Sequence, residues 1–103
     1  MGKIIYKQIN DNQIDEIHQV VVHTFRIGDV EDPDLYAGEP LAQWEKSEPG
    51  KFVMEHAVET PEWRRHLDFA SYSYMYKIIA QLEKKKLTEF YLRWGKINDK
   101  SFP

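Results

Sequence analysis

The sequence predicts an α+β domain in which a small antiparallel sheet of three or four strands, including a C-terminal aromatic hairpin, carries central short helices on one face. Two observations lead to this prediction. From Ser71 to Trp94, aromatic and aliphatic residues recur at every second position, which is the spacing of side chains that share one face of a strand. From Asp32 to Thr60, proline and glycine separate short segments with helical spacing.

The predicted C-terminal hairpin consists of two alternating runs. A continuous helix over residues 72–94 would be apolar on both sides, so the strand pattern is favoured. The intervening segment Glu83–Leu87 has no Gly, Asn or Pro, which is unusual for a hairpin turn. The first run is Tyr72, Tyr74, Tyr76, Ile78, Ala80 and Leu82, and the second is Thr88, Phe90, Leu92 and Trp94.

Three further segments have strand character. Lys3–Ile9 is predicted to be a short strand. Ile17–Ile27 is predicted to be a buried strand because its three consecutive valines are β-branched. A helix over Ile14–Val22 stays open as the alternative, since its isoleucines also fit helical spacing. Trp63–Ala70 is either a connection or an edge strand.

The helical segments are bounded by turn signals. Asp32-Pro33 predicts a helix start, because Asp is a common N-cap and Pro suits the first helical position. Gly38 is predicted to interrupt this helix, with a restart at Glu39-Pro40. Ser47–Gly50 predicts a second break, since its proline cannot sit inside a regular helix, and Thr60-Pro61 predicts the end. The residues expected to face the sheet from these segments are Trp44 and Phe52.

Length and composition limit the class of protein. The 103 residues predict a single domain over 1–103 with a flexible tail at 98–103. The absence of cysteine excludes disulfides, thiolate metal sites and cysteine nucleophiles. No apolar run approaches the roughly 18 residues that span a bilayer, and no signal peptide is recognisable, so a cytoplasmic location without membrane contact is predicted.

The net charge of −3 is unevenly distributed. Residues 1–60 contain 12 acidic and 5 basic residues, a balance of −7, whereas residues 61–103 contain 5 acidic and 9 basic residues, a balance of +4. The two halves either neutralise each other within the fold or bring unlike surfaces of two subunits together. Nucleic-acid binding is not favoured, because such domains are usually basic overall.

The most acidic segment precedes the first predicted helix. This segment has four carboxylates, whose oxygen atoms are the ligands that hard cations prefer: Asp29, Glu31, Asp32 and Asp34. Their spacing does not match the calcium-binding loop of an EF-hand. Negative charge is also favourable at a helix N-terminus, so a helix-capping loop is the main interpretation and a cation site the alternative. The four histidines form no HxH or HExxH pattern, and no GxSxG or glycine-rich phosphate motif occurs. The sequence therefore predicts no catalytic residues, metal or cofactor.

A basic cluster follows the tyrosine-rich run. Basic and aromatic residues are interleaved in this segment, and proteins that bind single-stranded nucleic acid combine the two kinds of side chain. The basic residues are Lys84, Lys85, Lys86 and Arg93. The main interpretation is a solvated hairpin tip, where lysine discourages edge pairing.

The tyrosine row is either the core face of the sheet or an interaction surface. Tyrosine is amphipathic and common at interfaces, so a row of three suits a partly buried face. We expect a homodimer at micromolar concentration, joined by one self-complementary patch. The candidate interaction surface comprises Tyr72, Tyr74, Tyr76, Met75, Ile79, Tyr91 and Trp94.

Three segments together resemble small uncharacterised proteins of large T4-type tailed phages. They are Gly28–Asp34, Trp44–His56 and Tyr91–Gly95, within a similarity that covers most of residues 20–95. The resemblance implies no reaction and no site residues. It implies a virus-encoded accessory protein acting in a host cytoplasm.

The favoured function is a non-enzymatic interaction domain that binds itself or another protein. The alternative is a nucleic-acid-associated accessory protein that uses the basic C-terminal half. The third possibility is a small enzyme or a cation- or ligand-binding protein at the acidic loop 29–34.

Overall fold

A computed structural model describes the backbone of residues 3–10 and 13–95, and the side chains of Ile4 and residues 16–95. The predicted tail at 98–103 lies outside the described residues. The elements in chain order are β1 (Lys3–Asn10), β2 (Gln13–Ile27), α1 (Pro33–Lys46), α2 (Glu48–His56), β3 (Glu62–Asp68), β4 (Ser73–Glu83) and α3 (Lys84–Trp94).

The described strands form one antiparallel sheet in the order β1-β2-β4-β3. The helices pack on one face of this sheet, where their apolar residues meet those of β2 and β4. The predicted α+β class is therefore confirmed, as is the placement of the central helices on one face. The hairpin is formed by β3 and β4, with its turn at residues 69–72, and not by two strands within residues 71–94.

β2 is a strand throughout residues 13–27, so the helical alternative for its first half is wrong. The register against β4 shifts between Val21 and His23, which makes Val22 an extra residue in a β-bulge. A one-residue shift reverses which side chains face the core. Val20 and Val22 are buried under the helices. After the bulge, His23 and Phe25 lie on the helix-covered face, and His23 is half-buried.

α1 and α2 meet at a tight corner at Ser47. The Ser47 hydroxyl donates to the Trp44 carbonyl at 2.5 Å and accepts from the Gly50 amide at 3.2 Å. The predicted break before Phe52 is confirmed, and both Trp44 and Phe52 are buried against the sheet.

The predicted interruption at Gly38 is wrong, because α1 continues through Gly38 and Pro40. An interior glycine costs a helix only about 1 kcal/mol and an interior proline about 3 kcal/mol. The buried positions Pro33, Ala37 and Trp44 lie on one side of α1 and offset that cost by packing. Asp32 occupies the predicted N-cap position, but its side chain makes no capping hydrogen bond.

The segment predicted to be the second strand of the hairpin is helix α3. β4 passes directly into α3 at Glu83, so no turn residues are needed there. One apolar stripe of α3 packs against the core, and its residues have helical spacing: Leu87, Phe90, Tyr91 and Trp94. Trp63–Ala70 contains the edge strand β3, which confirms one of the two predicted alternatives.

The core lies between the helices and the two inner strands. β4 contributes even-numbered residues, β2 contributes Val20 and the bulge residue Val22, and each helix contributes aromatic or aliphatic side chains. Its buried members are Val20, Val22, Trp44, Phe52, Val53, Ile78, Ala80, Leu82, Leu87 and Phe90.

A pair of glycine substitutions tests the corner between α1 and α2. A Cβ on Gly50 would overlap the backbone carbonyl of Trp44, whereas a Cβ on Gly38 would meet no atom within 4 Å. We expect Gly50→Ala to lower the free energy of unfolding by about 1–3 kcal/mol through overpacking. Gly38→Ala is the matched control, expected to raise it by about 0.5–1 kcal/mol. Urea denaturation measures both, and equal effects of the two variants would contradict the described corner.

His23 makes the stability depend on pH. Its ring stacks on Trp44 with centroids 5.9 Å apart, and burial lowers its pKa from 6.5. The unfolded chain therefore takes up this proton at higher pH than the folded chain, so stability falls as the pH drops below about 6.5. The slope is at most about 1.4 kcal/mol per pH unit. His23→Phe keeps a ring beside Trp44 without a titrating proton, and its urea midpoint should fall less between about pH 7.5 and 5. Parallel pH profiles for the two proteins would contradict this assignment.

Candidate functional site

The residues predicted as an interaction surface are separated by the fold. Tyr76 is fully buried, and Met75 and Ile79 are 6% and 9% exposed, so these three are not available to a partner. Tyr74 is half-buried on β4, and Tyr72 lies in the turn before it. The remaining two residues, Tyr91 and Trp94, lie on α3 and pack against the core.

Burial of Met75 and Ile79 corrects the prediction of an apolar second face. Both side chains lie on the face away from the helices, each between two neighbouring strands. Met75 lies between Arg26 and His66 in register, and the Arg26 side chain spans that face to Ser73. Ile79 lines a small pocket on the same face together with Glu59 and Thr60 of the segment before β3. Long polar side chains and this segment thus border apolar groups that the sequence pattern suggests would be exposed.

Tyr76 has its own structural partners on the helix-covered face. Its hydroxyl donates to Asp34 at the start of α1 at 2.5 Å, and Arg65 of β3 donates to the same carboxylate oxygen at 3.1 Å. Burial and then the bond to Asp34 raise the pKa of Tyr76 to about 12, so the hydroxyl remains a donor at neutral pH. The ring stacks on Phe25 of β2 with centroids 4.9 Å apart. Tyr76 therefore connects β2, β3 and the first turn of α1.

The predicted acidic loop is confirmed as the segment that leads into α1, but its carboxylates are not gathered around one point. Asp34 is engaged with Arg65 and Tyr76, and the negative charge of Asp34 raises the pKa of Arg65. Within the described residues, no group of three histidine or acidic side chains is placed to hold a metal ion. Asp29, Glu31 and Asp32 are exposed, as expected for a solvated loop.

The predicted basic patch is divided along α3. The three lysines at 84–86 form its first turn, whereas Arg93 lies in its last turn, roughly 13 Å further along at 1.5 Å per residue. Arg93 lies within 3.5 Å of Glu89 and its guanidinium is over the rings of Phe52 and Trp94. The lysines and the arginine therefore do not form one continuous basic surface.

Among the strand residues whose side chains the structure describes, those of the edge strand β3 are the most exposed. Six of its seven residues are exposed, on both faces of the strand. Trp63 and Leu67 lie on the helix-covered face of the sheet but remain 44% and 36% exposed. The helices cover β2 and β4, and α1 meets β3 through the ion pair of Asp34 with Arg65. β3 thus presents an edge that pairs with no other described strand, beside apolar side chains.

The turn after β3 adds two exposed aromatic side chains. Phe69 is 75% exposed and Tyr72 is 67% exposed. Tyr72 has a positive φ of 51°, an uncommon conformation for a large residue that costs of order 1–3 kcal/mol. The turn holds these aromatics outward, so we define the exposed edge as Trp63, Leu67, Phe69 and Tyr72 together with the β3 backbone.

A hydrogen-bond network centred on Asp68 holds this turn. One carboxylate oxygen accepts the Ala70 amide at 3.0 Å, and the other accepts Ser71 at 2.9 Å and Arg26 at 3.1 Å. The bonds from Ser71 and then Arg26 lower the pKa of Asp68. Arg26 also donates to Ser71 and Ser73, so the end of β2 is attached to the turn between β3 and β4.

Of the exposed edge, Tyr72 belongs to the interaction surface predicted from the sequence, whereas Trp63, Leu67 and Phe69 do not. The sequence Glu62–Asp68 has two arginines and a histidine among its seven residues and no clear alternation, which is typical of a connection or an edge. The usable signal is Trp63 and Leu67 in a segment bounded by Pro61 and the turn at Phe69. Two large apolar residues four positions apart in an otherwise charged segment favour a strand with an apolar face over a solvated connection.

No protein family, curated protein or solved structure was found to match the chain. In the part of the chain that the structure describes, no helix is long and apolar enough to cross a membrane. Function is therefore inferred from the geometry of the described residues.

The Tyr76 contact gives a direct test of the packing beside the exposed edge. Tyr76→Phe keeps the ring stacked on Phe25 but removes the hydroxyl that donates to Asp34. We expect the free energy of unfolding to fall by about 1–2 kcal/mol, because a hydrogen bond to a charged group is lost. Tyr36→Phe is the matched control, since Tyr36 is 59% exposed, and it should change stability by less than about 0.5 kcal/mol. Thermal or urea denaturation that ranks the two variants equally would contradict the described contact.

Proposed function

We propose that this protein is a non-enzymatic interaction domain that associates with a second copy of itself through the exposed edge. The observation that supports the proposal is β3, an edge strand exposed on both faces with Trp63 and Leu67 left uncovered by the helices. Its setting is the host cytoplasm, as implied by the resemblance to small phage proteins.

The backbone of β3 provides the first part of the interaction. An edge strand presents N–H and C=O groups that a strand from another chain can bond, which gives affinity without a pocket. β3 has seven residues, long enough for a regular pairing. Among the described strands β3 is paired with β4 alone, so its other edge is open to a further strand.

The side chains of the exposed edge provide the second part. Large aromatic residues dominate the buried centres of interfaces because they bury much area with little loss of conformational freedom. Trp63 and Leu67 lie on one face of β3, and the aromatic residues of the turn follow them in sequence. An exposed group of this kind is unusual on a monomer and is typical of an interaction surface.

A second copy of the chain is the partner that this edge suits best. Two antiparallel copies of one strand are related by a two-fold axis, so every contact occurs twice and one patch covers itself. β3 contains both acidic and basic residues, Glu62 and Asp68 against Arg64 and Arg65, which allows unlike charges to meet between copies.

Sedimentation equilibrium tests self-association. We expect the protein to form dimers at micromolar concentration, and Leu67→Lys to weaken dimerisation by at least about tenfold by placing a charge within the contact. Leu92→Lys is the matched control, because Leu92 is 83% exposed on α3, and its dimerisation should equal that of the unaltered protein. A single 12.3 kDa species up to about 100 μM, well above the micromolar range expected for the contact, would overturn the proposal.

The runner-up function would give a different result. Sub-micromolar binding of DNA or RNA at about 150 mM salt, lost when Lys84, Lys85 and Lys86 are neutralised, would replace the interaction-domain proposal. The overall charge of −3 provides little counterion-release drive for such binding.

A further inference from the structure

We infer that the two copies pair their β3 strands antiparallel with His66 opposite His66, and that the charges along the strand select this register. The inference rests on the self-association proposed above, and specifies which residues meet. An interface with a single register forms a defined dimer, whereas an edge that slides leads to aggregation.

Geometry restricts the possible registers to a few. Opposite residues of an antiparallel pair share a face of the sheet. A two-fold axis perpendicular to the sheet therefore lies midway between one residue and the same residue of the second copy. For Glu62–Asp68, the pairings that align five or more residues of each strand are centred on Arg64, Arg65 or His66. The side-chain pairs that each centre creates can then be compared directly.

The register centred on Arg65 gives the longest overlap and the poorest charge match. Glu62 would lie opposite Asp68 of the second copy at both ends, and Arg65 would lie opposite its own copy at the centre. Like charges directly opposite each other are unfavourable in a sheet. Three repulsive pairs therefore oppose the two favourable Trp63–Leu67 pairs.

The register centred on Arg64 is disfavoured for two reasons. It places Arg64 against its own copy, again a repulsive pair. It also places Trp63 against Arg65, whose guanidinium already bonds Asp34 at 3.1 Å and lies 5.3 Å from the centre of the Tyr74 ring. A new contact with Trp63 would compete with these existing contacts.

The register centred on His66 produces no acid–acid or Arg–Arg pair. Arg64 lies opposite Asp68 of the second copy on both sides of the axis, which makes two ion pairs. Arg65 lies opposite Leu67, so its guanidinium can stay on Asp34. The pairing also brings Phe69, the first residue after β3, towards Trp63 of the second copy, which joins the two exposed aromatic groups.

The existing contacts of both partners leave room for the proposed ion pair. The side chains of Arg64 and Glu62 are 61% and 57% exposed and lie 3.1 Å apart, and such a surface pair stabilises little and can rearrange. Asp68 accepts three hydrogen bonds from its own chain, and a carboxylate has about four acceptor positions, which leaves capacity for an arginine from the second copy.

Single cysteine substitutions can identify the register, because a cysteine forms a disulfide with its own copy only where the two residues lie opposite each other. The chain has no other cysteine that could interfere. Residues opposite each other have Cα atoms roughly 4.5–5.5 Å apart, within the range that a disulfide spans. We would prepare His66→Cys, Arg65→Cys and Arg64→Cys, all at exposed positions, and oxidise each with oxidised glutathione at dimer-forming concentration. Non-reducing electrophoresis should show His66→Cys cross-linked at least tenfold faster than the other two. Faster cross-linking of Arg65→Cys or Arg64→Cys would overturn the inference in favour of that register.

Neutral substitutions test whether charge selects the register. Arg64→Gln should raise the dimer dissociation constant roughly 2- to 30-fold, because two exposed ion pairs are lost. Glu62→Gln is the matched control and should leave it within about twofold, since Glu62 meets Ala70 in this register. Tighter binding by Arg64→Gln would indicate the Arg64 centre, and tighter binding by Glu62→Gln the Arg65 centre. An unaltered protein that stays monomeric, with all three thiols slow to cross-link, would overturn self-association itself.

Discussion

The pairing of β2 with β4 is the interaction on which the rest of the structure depends. The two strands pair from Ile17 to Ile27, interrupted by the bulge at Val22, and the helix-facing residues of both strands form the base of the core. Each helix packs on this inner pair, and Phe52 of α2 and Phe90 of α3 also meet each other with ring centroids 6.2 Å apart. Because the helices are committed to the inner pair, β3 keeps its exposure, so the free edge is a consequence of where the core lies.

The sequence was informative where a single periodicity extends over a whole element. The valines at 20–22 and the alternation of Tyr74, Tyr76 and Ile78 predict β2 and β4, and the proline near Ser47 predicts the corner between the helices. The sequence does not predict α3 because residues 72–94 combine a strand with a helix, so a single helix over that range would have no polar face. Over residues 84–94 alone, the buried positions Leu87 and Phe90 have helical spacing and the polar face is clear.

The exposed edge could not be located from the tyrosine row for a physical reason. Alternation shows that side chains share a face, but it does not show what covers that face. Tyr76 is fully buried because Asp34 and Arg65, far apart in sequence, come together over its hydroxyl. The bulge at Val22 is similarly hidden, since it reverses the face of every later residue in β2 without a glycine or proline to mark it.

The turn after β3 and the edge itself are joined through one carboxylate. Asp68 accepts hydrogen bonds from Ser71, from the Ala70 amide and from Arg26 of β2, and these bonds oppose the strain of Tyr72 in its left-handed conformation. The same residue ends β3 and, in the register inferred above, receives Arg64 of a second copy. A substitution at Asp68 would therefore disturb the turn and the proposed interface together, whereas Arg64, in the proposed register, contributes to the interface and within the described residues makes a surface ion pair with Glu62. Arg64 is for this reason the residue at which association can be separated from folding.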